Sequence, residues 1–134
     1  MEEEPDTATP LLVIASCPVE SRPDGIPRLW GGLKIEVNHD SLAYRIYKKS
    51  DIEETFSCNY ELNPTYRVTL EAGGLKVSGV SEDGGARIIE LPDHRFFLAT
   101  GFVPQYSSQI DRPHPLIVSF LQAAHEYKTS RYSS

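Results

Sequence analysis

The stretch LEAGGLKVSGVSEDGGARIIELPDH, residues 70–94, sets the organisation of the chain. Paired glycines near its start are typical of the end of a helix. Three predicted strands follow in quick succession, at residues 75–80, 87–91 and 96–102. The turn-forming residues 82–85 separate the first two strands, and this spacing predicts a β-hairpin.

Upstream of this stretch, short strands and short helices alternate. An apolar run at residues 10–16 predicts a strand buried on both faces, whereas residues 32–37 alternate apolar and polar side chains and predict a strand with one wet face. Residues 42–47 predict a short helix, and residues 52–62 predict another strand. The Asn-Pro pair at 63–64 indicates the start of the helix that ends at the paired glycines.

Downstream, Pro115 opens a predicted helix whose apolar residues recur at helical spacing. We expect this stripe to face the core, and it comprises Leu116, Ile117, Phe120, Leu121 and Ala124. The length of 134 residues suits a single domain. We divide it into an acidic disordered tail at residues 1–9, a folded unit at 10–127 and a frayed tail at 128–134.

Composition places the chain among ordinary globular proteins and excludes several functions. The net charge of −6 argues against nucleic-acid binding, which needs clustered Lys and Arg. No run approaches the roughly 18 apolar residues that cross a bilayer, and the acidic start is unlike a secretory signal, so we expect a cytoplasmic protein without membrane contact. Cys17 and Cys58 are expected to be reduced thiols. No motif supports a metal site or a cofactor.

Three collinear segments between residues 52 and 127 resemble class I glutamine amidotransferase domains of the CTP synthase type. ETFSCNYELN, residues 54–63, matches the family's ERHRHRYEVN, and residues 70–94 match its helix end, hairpin and ELPDHP turn. RFFLATGFVPQYSSQIDRPHPLIVSFLQAA, residues 95–124, matches PFFVATQFHPEFxSxPxxPHPLFxGFxxAA. The resemblance implies part of an α/β, flavodoxin-like domain with a mixed sheet, antiparallel hairpins and flanking helices. It also implies that residues 96–102 form an inner strand of a largely parallel sheet.

The same resemblance implies where glutaminase chemistry would lie. In the family a cysteine attacks the glutamine amide, a histidine takes its proton and a glutamate orients that histidine. Val103 and Gln105 stand at the histidine and glutamate positions, and Asn59 stands where an arginine holds the α-carboxylate of the substrate. Neither cysteine has the Gly-x-Cys-x-Gly context of the nucleophile. We therefore assign no catalytic residue and expect no glutaminase activity from this chain alone.

Three interpretations of these losses stay open. In the first, the chain is an amidotransferase-like half-domain without hydrolytic activity. In the second, it is the C-terminal part of a longer cysteine- or selenocysteine-dependent hydrolase or redox enzyme, truncated at its N-terminus. Residues 58–60 and 102–105 favour this, because they resemble segments of CTP synthase-related proteins that include selenoproteins. In the third, the altered site binds a small metabolite or a partner protein.

The altered loop and the segment after residue 57 predict a polar pocket. Its expected lining is Cys58, Asn59, Tyr60, Gln105 and Tyr106. The alternatives are that Cys58 is a small buried side chain and that the other four hydrogen-bond only within their loops. His94, in a turn, and His114, at the entry to the last helix, are assigned structural roles.

The resemblance also predicts association. Without the N-terminal strands and helices of a complete domain, the edge of the strand at 96–102 and part of its apolar face would meet solvent. Such edges and patches promote association. We therefore expect a homodimer or swapped assembly, or a partner that supplies an N-terminal half-domain.

Overall fold

The computed structural model describes residues 6–16 and 24–132. Within these ranges it contains seven strands, three α-helices and two 3₁₀ turns. The strands are β1 (Leu12–Ile14), β2 (Leu29–Val37), β3 (Asp51–Cys58), β4 (Tyr60–Leu62), β5 (Lys76–Ser81), β6 (Ala86–Glu90) and β7 (Leu98–Thr100). The helices are α1 (Leu42–Tyr47), α2 (Arg67–Ala72) and α3 (Pro115–Tyr132), and the 3₁₀ turns are Pro64–Tyr66 and Pro104–Tyr106.

Five strands form the main sheet in the order β3-β2-β5-β6-β7, and β1 and β4 form a separate two-stranded ribbon. The predicted α/β class with antiparallel hairpins and flanking helices is confirmed. Every strand pair within the described ranges is antiparallel, so the parallel strands that the resemblance implies for a complete domain are not among these residues. The connections from β5 to β6 and from β6 to β7 are too short for the crossover that a parallel pair needs. β7 lies at an edge of the sheet, with β6 as its neighbour.

The main sheet consists of two blocks joined by a short seam. β2 and β3 pair over eight positions, and β5, β6 and β7 follow one another in the second block, where the predicted hairpin is confirmed as β5 and β6. Between the blocks β2 and β5 pair over three positions, from Ile35–Ser81 to Val37–Gly79. Gly79 of β5 lies close to side chains of both neighbouring strands, because an added Cβ would be 2.7 Å from Cγ1 of Ile88 in β6 and 3.0 Å from Cγ2 of Ile35 in β2.

Helices α1 and α3 contact each other and contribute to one core with the sheet. We call the sheet face that this core covers the helix-covered face. The core comprises Ala15, Leu29, Ile35, Val37, Ala43, Ile52, Phe56, Ile88, Phe102 and Leu116. Each large aliphatic or aromatic side chain buried in this way contributes about 1.5–3 kcal/mol to folding.

The helix starts follow the capping residues that the sequence predicts. Ser41 Oγ accepts a hydrogen bond from the Tyr44 N–H at 3.0 Å and caps α1. The Asn63 side-chain oxygen accepts from the Thr65 N–H at 3.0 Å and caps the 3₁₀ turn that leads into α2. The helix ends before Gly74, whose φ of 98° lies in the left-handed region that favours glycine.

Two apolar segments are less buried than their sequences predict. The run at residues 10–16 forms β1, but Leu12 is 43% exposed and Ile14 is 62% exposed. Among the described residues β1 pairs with β4 alone, and of this run only Ala15 belongs to the core. In α3, Leu116 is buried, whereas Phe120 and Leu121 are mostly exposed, so the expected core stripe is confined to the first turn of the helix.

Other predictions shift at their boundaries. The strand expected at 52–62 divides at Asn59 into β3 and β4. Helix α3 continues to Tyr132, and the frayed tail at residues 128–134 stays a prediction. Residues 1–5 of the acidic tail and Cys17 lie outside the described residues. In the part of the chain that the structure describes, no helix is both long and apolar enough to span a membrane.

Candidate functional site

A cavity of about 400 Å³ opens on the second face of the sheet. Strand alternation assigns this face: Ile88 belongs to the core and Glu90 contacts α1, so Arg87 and Ile89 point to the opposite side, which we call the open face. The cavity is lined by parts of β1, β3, β4, β6, β7 and the loop after β7. Its lining includes Cys58, Tyr60, Glu61, Arg87, Thr100 and Val103.

Arg87 is the buried cation of this open face, at 2% exposure. Its Nη1 lies 2.9 Å from Oε2 of Glu61, and its Nη2 lies 2.9 Å from Oδ2 of Asp83. Its Nε donates a hydrogen bond to Ser81 Oγ at 2.7 Å. The Arg87 guanidinium therefore joins the β5–β6 turn to the ribbon strand β4.

Asp83 is held in its ionised form by this cluster. Partial burial alone would raise the pKa of Asp83, but hydrogen bonds from Ser81 and Gly85 and the charge of Arg87 outweigh it and keep this pKa below its usual range. The hydrogen bond from the Gly85 N–H, at 3.0 Å, closes the turn around the carboxylate. The Asp83 carboxylate therefore binds both the backbone of the hairpin turn and the guanidinium of Arg87.

The helix-covered face has its own buried ionisable cluster, centred on Glu54. Oε1 of Glu54 lies 2.8 Å from Nε2 of His114, and both side chains are 4% exposed. The same oxygen accepts a hydrogen bond from the Tyr47 hydroxyl at 2.5 Å. Burial, the hydrogen bond to Glu54 and the charge of Glu54 together raise the pKa of Tyr47 above its ordinary value.

His114 has both ring nitrogens engaged. Its Nδ1 accepts from the Leu116 N–H at 3.2 Å, which orders the start of α3 and is the structural role expected of this histidine. The pattern assigns the proton to Nε2, which then donates to Glu54. A histidine with both nitrogens satisfied in the core has no free atom for a substrate.

The loop between β7 and α3 is fastened to β3. The Val103 N–H donates to the Thr55 carbonyl at 3.0 Å, and Val103 lines the cavity. Val103 is therefore a half-buried apolar wall at the position that the resemblance gives to the family's histidine.

The structure divides the predicted polar pocket. Cys58 and Tyr60 line the cavity, and the Tyr60 N–H points at Cys58 Sγ, 3.4 Å away. Gln105 and Tyr106 lie exposed on the 3₁₀ turn after Val103 and do not line the cavity. The cavity wall is consequently more apolar than the sequence indicates.

Asn59 belongs to neither group. Its side-chain oxygen accepts from the Arg28 N–H at 3.0 Å, and its carbonyl accepts from the Ala15 N–H at 2.9 Å. The Arg28 Nε in turn donates to the Ala15 carbonyl at 2.7 Å. Asn59 therefore fastens the chain between β3 and β4 to the segments around β1 and β2, and its partners lie outside its own loop, so it fits neither the predicted pocket nor the within-loop alternative.

Sequence reasoning missed Arg87 and Glu54 as the centres of the two clusters. Both stand in short strands that alternate apolar and polar side chains in part, Arg87 in ARIIE and Glu54 in DIEETF. Period-two alternation assigns Arg87 to the face of Ile89, and it assigns Glu54 to the buried face of Ile52 and Phe56. The alternation therefore predicts that both side chains are buried. It does not predict which residues pair with them, because partners such as Glu61 and His114 come from distant segments of the chain.

Three curated proteins that are similar in sequence to this chain are all CTP synthases. No family model matches the chain. A CTP synthase of Pelotomaculum thermopropionicum is 46% identical over 132 residues, which covers 96% of this chain and 24% of that protein. CTP synthases of Staphylococcus carnosus and Sulfurisphaera tokodaii are 40% and 37% identical, over 96% and 92% of this chain. The chain thus spans about a quarter of the length of these curated relatives.

Two solved structures superpose on this chain. The glutaminase domain of a Trypanosoma brucei CTPS, solved with bound acivicin, superposes with a TM-score of 0.78 at 26% identity, covering 90% of this chain and 48% of that one. A Thermoplasma acidophilum protein named for one of the GMP synthase subunits superposes with a TM-score of 0.61 at 14% identity, over 90% of this chain and 51% of that one, which shows the fold alone.

Proposed function

The chain is a relative of the CTP synthase glutaminase domain, and we propose that it is an amidotransferase-like protein that does not hydrolyse glutamine with its own residues. The observation that carries the proposal is Val103. An apolar side chain lines the cavity at the position that the resemblance gives to the proton-accepting histidine. Valine cannot accept a proton, and losing the base of such a triad costs several orders of magnitude in rate.

The surroundings of the cavity support the same proposal. Its lining includes the thiol of Cys58 and no histidine. His114 is engaged by Glu54 and Leu116, and His39 stacks on Tyr44 at 4.5 Å. A thiol needs a neighbouring base to take its proton before it can act as an efficient nucleophile, and no histidine among the described residues lines this cavity as such a base. Cys58 is therefore a wall residue in this proposal.

A direct assay tests the proposal. Purified protein is incubated with L-glutamine, and glutamate and ammonia are measured against a buffer blank. We expect no release above the blank for the natural chain. We expect none for the double variant Val103→His/Gln105→Glu either, because restoring a base and an acid does not supply an activated nucleophile. Glutamate release that disappears in Cys58→Ser would overturn the proposal.

A second candidate function is that of the C-terminal part of a longer enzyme whose nucleophile lies upstream. The coverage favours it, since the chain matches 48% of the trypanosome glutaminase domain. Genomic sequence upstream of Met1 tests this candidate. An in-frame coding segment with an elbow cysteine or selenocysteine supports it, and a frame without one contradicts it.

A further inference from the structure

The outer edge of β7 is a row of backbone groups without a strand partner among the described residues. The Gly101 N–H donates to the Arg87 carbonyl of β6, and Ala99 is in register with Ile89. Alternate residues of an antiparallel strand face the same neighbour, so Ala99 and Gly101 face β6. The N–H and C=O groups of Leu98 and Thr100 therefore point outward.

The chemistry around this edge distinguishes it from the opposite edge of the sheet. Natural sheets protect exposed edges with charged side chains, prolines, bulges or short strands. β3, at the other edge, presents exposed Asp51 and Glu53. Apart from its shortness, β7 has none of these devices, and no charged residue occurs anywhere from Phe96 to Ile110.

We propose that β7 is an association surface on which a second copy of this chain adds its own β7 in the antiparallel direction. Charge favours contact at this place, because two copies that each carry a net charge of −6 repel each other elsewhere. The uncharged stretch from Phe96 to Ile110 removes that repulsion where the two strands meet. A two-fold contact of this kind uses the same patch on both copies and closes without forming a filament.

The strand is self-complementary about Ala99. With the two-fold axis at Ala99, Leu98 of each copy forms a hydrogen-bonded pair with Thr100 of the other, which satisfies every outward N–H and C=O of β7. Ala99 then faces Ala99 of the other copy in a non-hydrogen-bonded pair, in which the two Cα atoms lie about 4.5 Å apart. Alanine is small enough to fit at this crossing, and its side chain is exposed in the single chain.

The cavity continues up to this edge. Ala99, Thr100 and Gly101 line its side nearest β7, and Ala99 shares the open face with Ile89. A strand added to β7 would cover that side of the cavity. Pairing would therefore bury apolar wall in addition to forming backbone hydrogen bonds, as in other cases of β-strand addition.

The oligomeric state tests the proposal. Light scattering coupled to size exclusion is measured over a hundred-fold range of protein concentration, and we expect a mass about twice 15.0 kDa at the upper end. Thr100→Pro removes an outward N–H and leaves the pairing with β6 intact, so we expect the dimer dissociation constant to rise at least about tenfold. Glu53→Pro, on the edge of β3, is the matched control and should keep the dimer.

A covalent test covers the possibility that Thr100→Pro misfolds. Ala99→Cys places two thiols within disulfide reach across the proposed axis, and we expect a reducible dimer on oxidation. Ile110→Cys, fully exposed beyond the strand, should not cross-link to the same extent. The proposal is overturned by a monomer at every concentration. It is equally overturned if the Thr100→Pro variant still forms the dimer and the Ala99→Cys variant also fails to cross-link.

Discussion

The two faces of the sheet each bury an ionisable side chain, but they enclose it differently. On the helix-covered face, Glu54 and His114 are both 4% exposed, and Tyr47 of α1 completes the enclosure. On the open face, the Arg87 side chain is 1% exposed, yet its partners Glu61 and Asp83 keep 12% and 34% exposure. A broken pair on the helix-covered face cannot be hydrated, whereas one on the open face can. Substitutions in the Glu54 cluster should therefore destabilise the fold more than substitutions in the Arg87 cluster.

The largest effect is expected for Glu54→Ala. The substitution leaves the Tyr47 hydroxyl and the His114 Nε2–H without an acceptor in the core, so the free energy of unfolding should fall by about 3–5 kcal/mol. Urea unfolding followed by circular dichroism measures it. Glu53→Ala, the exposed neighbour in the same strand, is the control and should change stability by less than about 0.5 kcal/mol. Equal losses for the two variants would contradict the buried cluster.

A smaller effect is expected for Arg87→Met on the open face. Methionine keeps much of the buried side-chain stem, and the freed carboxylates of Glu61 and Asp83 can turn toward water. We expect a loss of about 1–3 kcal/mol in the same unfolding experiment. A loss as large as that of Glu54→Ala would erase the distinction between the two faces.

The third prediction concerns pH and Asp83. Because the folded state holds the pKa of Asp83 below its ordinary value, the ionised carboxylate stabilises the protein above the unfolded-state pKa, and this contribution is lost as pH falls through the folded-state pKa. The stability difference between the natural chain and Asp83→Asn should therefore be largest near neutral pH and vanish in strong acid. Unfolding curves between neutral pH and pH of about 2 measure it. In an Arg87→Met background the difference should shrink at every pH.

The smallest effect is expected for Ser78→Ala, which belongs to neither cluster. Ser78 Oγ is buried and has no hydrogen-bond partner among the described residues. Removing an unsatisfied hydroxyl should leave stability unchanged or raise it by up to about 1 kcal/mol. A clear loss of stability in the urea experiment would show that the hydroxyl has a partner after all.

The elements of the fold were largely predictable because their signals are local. Asn63 caps its turn and Ser41 caps α1 through side-chain hydrogen bonds within three residues, and the turn at 82–85 forms the expected hairpin. Burial was less predictable, since it depends on what packs over a segment. The apolar residues of β1 and of the later turns of α3 have the right pattern for a core, but most of them are exposed in the part of the chain that the structure describes.

The site was predictable only in part for a related reason. The sequence predicts Cys58 and Tyr60 in one pocket, and both line the cavity. It does not anticipate that Asn59 binds back to Arg28, or that Gln105 faces solvent. Those outcomes depend on contacts between residues far apart in sequence, which spacing and composition do not encode.

The three-position seam between β2 and β5 has a consequence for how the molecule opens and closes. Within each block the strands are close along the chain, so they meet quickly. The seam joins residues separated by α1, β3, β4 and α2 and closes a much longer loop. The blocks should therefore assemble before the seam does. In the native protein the seam should likewise open first, so that the amides bonded across the β2–β5 seam exchange with deuterated solvent before those shared by β2 and β3 or by β5 and β6.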